Sequence, residues 1–318
     1  MKIVSKNLKL INNLLILGLF LFFQNISFAE ISNYYTDQKV KEYIKVSKKI
    51  NVKLPPGEWE VTDRWVEEGF GLKFSVMSLV RQENNELAEV MEIAYSKLAG
   101  AHIHAIDHAL NEVIFYDQYD GCYQRPEYYL VELYRKGSTH NCMIVSHIDV
   151  DKELNNPDDP TSRGYISTTK QWIRSNNQVK VPPIMLESFH SYFSRLVGGY
   201  WIGLSYGINP KLLEAPESKF LTEETSEYHK SNIQRFPEHK NTMEKWISIS
   251  SKRHLEFENL FNAKTRHRLK LNKYIKENVK LISSEENIAD KLKTLNNLYK
   301  DGALTKEEFE KAKKKLLN

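Results

Sequence analysis

The chain has 318 residues, 41% of them hydrophobic, with 45 basic and 41 acidic side chains and a formal charge of +4. That is enough apolar material for one or two domains with a real core, and too much for an intrinsically disordered chain. So slight a positive excess sets nucleic acid aside as a partner, because that affinity rests on many phosphate contacts.

The first element is an export signal. Lys2, Lys6 and Lys9 form a positive start, Leu14 to Phe23 is uncharged and apolar, and Ser27-Phe28-Ala29 supplies small residues before Glu30. This pattern predicts a secretory signal, residues 1–29, cleaved near Ala29. The mature protein is then expected to be periplasmic or extracellular. An uncleaved anchor is the alternative, although the run falls short of the roughly 20 apolar residues a membrane helix needs. No cysteine follows the run, so no lipid anchor is expected. With the three lysines taken off the 45 basic residues, 42 face 41 acidic ones, and the mature chain is close to neutral.

The body spans 30–263. Residues 30–50 read as a helical or irregular lead-in, and Leu54-Pro55-Pro56-Gly57 as a turn. Trp59 and Val61, then Leu72, Phe74 and Val76, then Met91, Ile93 and Tyr95 alternate with polar residues. They predict an antiparallel meander that turns at Asn84-Asn85. Val113 to Tyr116 adds a strand. Glu127 to Lys136 and Cys142 to Val150 form a hairpin turning at Gly137-Ser138. The chain's two cysteines, Cys122 and Cys142, flank it, and an exported protein would pair them as a disulfide. Two reduced core cysteines, or a metal site joining them to His140 and His147, are the alternatives.

Asn155 to Thr161 is a polar loop, and Lys170 to Asn176 a short helix carrying Trp172 and Ile173. Pro182-Pro183 reads as the start of another helix, with Met185, Leu186, Phe189, Tyr192 and Phe193 as its stripe and Gly198-Gly199 as its end. Tyr200 to Tyr206 is a buried strand. Pro237 opens a long helix with Met243, Trp246, Ile247, Leu255, Phe257 and Phe261 on its apolar side. A basic connector, 264–282, follows, with Lys264, Arg266, Arg268, Lys270, Lys273, Lys276 and Lys280 opposed only by Glu277. It reads as a solvated linker, with peripheral attraction to an anionic membrane as the sharper alternative. Sheet first and helices later give an α+β fold.

Two patterns in the body carry possible chemistry. Gly203-Leu204-Ser205-Tyr206-Gly207 matches a nucleophile elbow, which needs Ser205 on a sharp turn from strand to helix. Ile208-Asn209-Pro210 interrupts the place where that helix would begin, so a strand with closely approached glycines is the plainer reading. His102, His104 and His108 with Asp107 form the densest histidine group. They could ligate a metal, or lie at a half-buried edge. Glu58 with Glu60 and Asp149 with Asp151 read as solvent-facing pairs. Nothing in the sequence calls for a cofactor.

The last segment, 283–318, reads as two short amphipathic helices. Ser283 with Glu286 and Thr305 with Glu308 are capping boxes, and Gly302 stands where a left-handed residue closes a helix. Ile288, Leu292, Leu295, Leu298 and Tyr299 stripe the first helix. Leu304 and Phe309 follow the turn, and Ala312, Leu316 and Leu317 continue the second stripe. Leu295-x-x-Leu298-Tyr299-x-Asp301-Gly302-x-Leu304-Thr305-x-x-Glu308-Phe309, with Lys313 and Leu316-Leu317 after it, resembles the bacterial short C-terminal domain, SHOCT. The resemblance implies a non-catalytic appendage for self-association or docking, and it transfers no catalytic residue. Helices this short bury too little area alone, which agrees. The whole chain therefore reads as an exported, non-enzymatic protein that makes contact through its tail. A serine hydrolase using Ser205 and a histidine-based metal protein are the alternatives.

Overall fold

The structure, a computed structural model, describes residues 30–69, 72–97, 122, 124–136, 139–155, 165–194, 200–218, 222, 224–279, 292, 295–300, 302 and 304–317. The body is α+β. Its centre is an eight-stranded antiparallel sheet in the order β1-β4-β5-β6-β10-β9-β8-β7. The strands are β1 (Lys39–Val40), β4 (Trp59–Gly69), β5 (Leu72–Glu83), β6 (Glu86–Lys97), β7 (Leu130–Lys136), β8 (Thr139–Asp149), β9 (Ile184–Ser194) and β10 (Tyr200–Ile208). A separate hairpin, β2 (Tyr43–Ser47) with β3 (Ile50–Lys53), packs into the same core.

Asn84 and Asn85 both have positive φ, 52° and 58°, as the tight turn from β5 to β6 requires. The lead-in is a correction. Glu30–Asn33 is a short 3-10 turn, but β1, β2 and β3 follow it. Ile44 and Val46 alternate with exposed Tyr43 and Lys45, a period-two pattern too short to stand out.

Both faces of the central strands are covered. Helix α3 (Pro237–Leu260) lies on one face, with proline in its first turn. Met243, Trp246, Ile247 and Phe257 from this helix join Met77, Leu79, Met91, Ile93, Val145, Leu186, Leu204 and Tyr206 from the sheet. Each such buried side chain contributes about 1.5–3 kcal/mol relative to exposure. Trp246 Nε1–H also donates to the Glu187 carbonyl at 2.9 Å, fixing the helix to β9. Helices α1 (Val150–Asn155) and α2 (Tyr165–Ser175) cover part of the other face. There Trp172 packs with Val80, Val90, Ile148 and Met185.

This double coverage explains the second correction. Residues 184–194 were expected to form a helix and form β9 instead. With both faces buried, apolar residues fall at odd and even positions alike, and the two-residue period is masked.

The basic connector is laid against the body as far as it is described. Leu269 and Leu271 are buried in the main core, and 3-10 turns form at Thr265–His267 and Leu271–Tyr274. Lys273 pairs with Glu132 at 2.8 Å, and Lys276 with Glu244 at 2.7 Å. Lys276 N–H donates to Ser248 Oγ at 2.8 Å, and Lys252 Nζ donates to the Lys276 carbonyl at 3.0 Å.

Candidate functional site

The tail forms the expected pair of helices: residues 295–300 are helical, and α4 is Lys306–Leu317. Gly302 has φ +72°, and its N–H reaches the Tyr299 carbonyl at 3.1 Å. The Thr305–Glu308 capping box is formed in both directions. Thr305 N–H donates to Glu308 Oε2 at 2.9 Å, and Glu308 N–H donates to Thr305 Oγ1 at 3.3 Å. Those bonds to Thr305 hold the Glu308 carboxyl below the usual carboxylate range.

Across the turn Tyr299 stacks on Phe309, with centroids 4.8 Å apart and planes at 28°. Lys313 Nζ sits 5.8 Å from the same ring. Leu295 is buried, and Leu292, Leu304 and Phe309 are half-buried. Leu298 and Tyr299 remain 42% and 38% exposed. The side chains of Leu316 and Leu317, and the first capping box at Ser283 and Glu286, lie outside the described residues. Among the described residues, no element of the body packs extensively against α4.

The body's candidates separate. Ser205 lies inside β10, opposite Glu92 on β6 and Phe189 on β9, and the strand runs on to Ile208. A 3-10 turn at Pro210–Leu213 follows, capped by Asn209. Ser205 is therefore not on the strand-to-helix turn that a nucleophile elbow requires. Gly203 has a packing role: a Cβ there would stand 2.8 Å from Trp201 Cη2, so the indole lies against bare backbone. His102, His104, His108 and the strand expected at Val113 to Tyr116 lie outside the described residues. Glu60 takes a hydrogen bond from Trp172 Nε1 at 2.7 Å, and Asp149 Oδ1 accepts the Lys152 N–H at 3.1 Å. Those two carboxylates are engaged in the fold.

Cys122 and Cys142 stand with their sulfurs 1.94 Å apart and Cα atoms 6.3 Å apart. His140 Nε2 lies 3.7 Å from Cys122 Sγ. His147 does not join them. Seven residues from His140 along one strand, it points to the opposite face, where it meets Tyr228 and His229.

The buried polar chain beneath α3 was not anticipated. Ser188 Oγ is 3.0 Å from His190 Nε2, and His190 Nδ1 is 3.1 Å from His254 Nδ1. His254 Nε2 is 2.8 Å from Asn141 Oδ1. Asn141 Nδ2 donates to Glu258 Oε1 at 2.6 Å and to the His267 carbonyl at 3.0 Å. Leu269 N–H donates to the same Glu258 oxygen at 2.8 Å.

The partners fix the protons. Asn141 Oδ1 only accepts, so His254 carries its proton on Nε2 and accepts on Nδ1. His190 then donates from Nδ1 and accepts the Ser188 hydroxyl on Nε2. From Ser188 to Asn141 the donors point one way, and Glu258 accepts from both ends, from Asn141 and from the Leu269 N–H of the connector. Burial pushes the His254 imidazole down to about 3 and, with the neighbouring His254 and Arg253, holds His190 well below 6.5. Both rings are neutral at physiological pH. Sequence signals could not reveal this chain, since its members come from β8, β9, α3 and the connector.

Two further features lie elsewhere in the body. Burial, aided by Glu67, raises the half-buried Glu92 carboxyl to about 8. A hollow of about 520 Å³ is walled by Pro182, Pro183, Pro210 and Pro216 with Lys180 and Lys211. Its polar groups do not converge on a ligand: Lys211 pairs with Glu86 at 2.8 Å, and Asn209 caps its own turn.

No curated protein and no solved structure gives a significant match to the chain. Residues 290–317 match the family model described as SHOCT, short C-terminal domain. The turn, cap and stacked aromatic pair fall within that match, so the chain carries a short C-terminal domain behind its α+β body.

Proposed function

We propose that this is an exported, non-enzymatic protein whose C-terminal hairpin is its point of attachment, used for self-association or for docking on another protein. The observation that carries the reading is the outward apolar edge of the hairpin at Leu298 and Tyr299, beside the Tyr299–Phe309 stack. So small a helical pair cannot bury its own stripe, and a partner surface completes it. Export rests on the signal pattern at 1–29, with a periplasmic or extracellular destination. The Cys122–Cys142 pairing suits an oxidising compartment.

The hydrolase alternative is disfavoured by the mid-strand position of Ser205. Peripheral attraction of 264–280 to a membrane is disfavoured too, because Lys273 and Lys276 are already paired with Glu132 and Glu244. The test is a chain cut after Lys280, compared with the full chain by light scattering. The cut protein should keep its tryptophan fluorescence, since all five tryptophans lie in the body, and should lose mass beyond that of the deleted segment. A complex mass that falls only by the deleted residues overturns the self-association arm. Failure of the full chain to retain any partner that the cut chain loses overturns docking as well.

A further inference from the structure

Cys122, Cys142 and His140 are three potential ligands gathered in one buried place. One sulfur, the other sulfur and an imidazole nitrogen all lie within 4.8 Å of one another. Cys142 and His140 are fully buried, and Cys122 is 2% exposed. His140 and Cys142 are two apart on β8 and so project from the same face. Cys122 approaches them from a separate segment. Around them Tyr128, Ile144, Val131 and Phe189 form an apolar shell.

The donor set has a definite preference. Metal–sulfur and metal–nitrogen bonds of about 2.3 and 2.0 Å place donors of one ion roughly 3.5–4 Å apart. The present sulfur-to-nitrogen distance is 3.7 Å, and Cα atoms 6.3 Å apart suit two cysteines on one ion as well as they suit a bridge. Only the two sulfurs need to part. Two thiolates are soft ligands and select Cu+; Zn2+ wants a fourth donor in a tetrahedral shell. A buried site with three donors among the described residues favours the monovalent ion.

A cuprous centre with two thiolates carries one net negative charge, which an apolar shell alone would not tolerate. Arg125, three residues beyond Cys122 and 3.8 Å from Glu127, is the cation of this segment. Its guanidinium stacks 5.3 Å from the Tyr128 ring centroid, and its Nε and Nη2 are buried without a hydrogen-bond partner among the described residues.

We infer that Cys122, Cys142 and His140 form a redox-gated Cu+ site, closed as a disulfide when oxidised and open to the ion when reduced. A dithiol reductant opens it. The sulfur–sulfur bond breaks, the reductant becomes a cyclic disulfide, and its two protons pass to the cysteines. Cu+ then replaces both thiol protons, and His140 adds its neutral Nε2. No change in the copper oxidation state is involved. Because the pocket is buried, the ion enters while the thiols are reduced and the chain is folding.

The test uses the full-length chain refolded anaerobically with a dithiol reductant, freed of that reductant without air, and set against a coloured Cu+ chelator. The reduced chain should withdraw one equivalent of Cu+, and the oxidised chain none. Loss of an outer-shell partner alone costs metal affinity about 10–100-fold, so His140→Ala should weaken uptake at least tenfold. Cys142→Ser should abolish it, but because that variant could misfold, His140→Ala decides, with folding checked by tryptophan fluorescence. Copper left with the chelator by the reduced wild type overturns the site. So does unchanged uptake in folded His140→Ala, and tighter binding of Zn2+ than of Cu+ overturns the assignment to copper.

Discussion

His190 and His254 meet ring to ring between the sheet and helix α3, Nδ1 to Nδ1 at 3.1 Å, with neither side chain exposed. Their folded-state proton affinities are depressed by burial, His254 to about 3. Below about pH 6.5 the unfolded chain therefore binds more protons than the folded one. The stability these rings permit is fully present above pH 6.5 and falls with acid by about 1.4 kcal/mol per pH unit for each ring. Urea unfolding between pH 7 and pH 4 should show this fall. His254→Gln should flatten the slope even if it lowers stability at pH 7.

Glu92 has the opposite sign. Its folded carboxyl is raised to about 8, so the folded state binds the extra proton between the ordinary carboxylate range and pH 8. Its destabilising effect grows as pH rises through that window and is fully relieved below it. Glu92→Gln should therefore stabilise the protein most at pH 8 and above, and hardly at all near pH 4. Melting temperatures across that range check the crossover.

Asn141 holds three partners at once: His254, Glu258 and the His267 carbonyl. Asn141→Leu leaves the buried His254 N–H without its acceptor and Glu258 Oε1 with only the Leu269 N–H. The expected loss is about 1–3 kcal/mol, the cost of leaving buried polar groups unsatisfied. The connector should loosen together with the helix, and amide exchange at Leu269, whose N–H shares the Glu258 oxygen, should report it.

Gly57 has φ +119°, a region closed to side chains, and a Cβ there would stand 2.7 Å from Arg81 Cδ. Arg81 is the cation that binds Glu89 and Glu83 beneath the turn. Gly57→Ala should cost about 1–3 kcal/mol through strain alone. A larger loss in the urea midpoint would mean that the arginine had been displaced as well.

Leu298→Asp and Phe309→Asp place charge on the hairpin's apolar edge and in its stacked pair. Both should lower the mass seen by light scattering while leaving the melting temperature of the body unchanged. Thr305→Ala, which removes the hydroxyl half of the reciprocal N-terminal cap, should have the same effect more weakly through about 1 kcal/mol of lost helix stability.

The parts legible in the sequence were those written locally. Gly302, Thr305 and Glu308 specify the tail's turn within a few residues, and Pro237 with the spacing of Met243, Trp246 and Phe257 specifies α3. The Asn84-Asn85 turn and the Cys142 strand were likewise visible. Strand β9 was not, because Leu186, Tyr192 and Met185 serve opposite faces that are both covered, and its run looks like a helix. Burial of Leu269 and Leu271 was hidden by the lysines and arginines around them. The Ser188–His190–His254–Asn141–Glu258 chain is non-local, and no spacing rule joins residues more than a hundred positions apart.

Anchoring of the connector changes where the tail departs from the body. Helix α3 stops at Leu260, but the chain stays stitched to the body through Leu271 and Lys276, up to residue 279. From there to residue 295 even a fully stretched backbone reaches no farther than about 55 Å. Two molecules joined at their tails would thus hold their bodies within a bounded spacing, and an incision at Ala263 would unravel the core instead of merely releasing the tail.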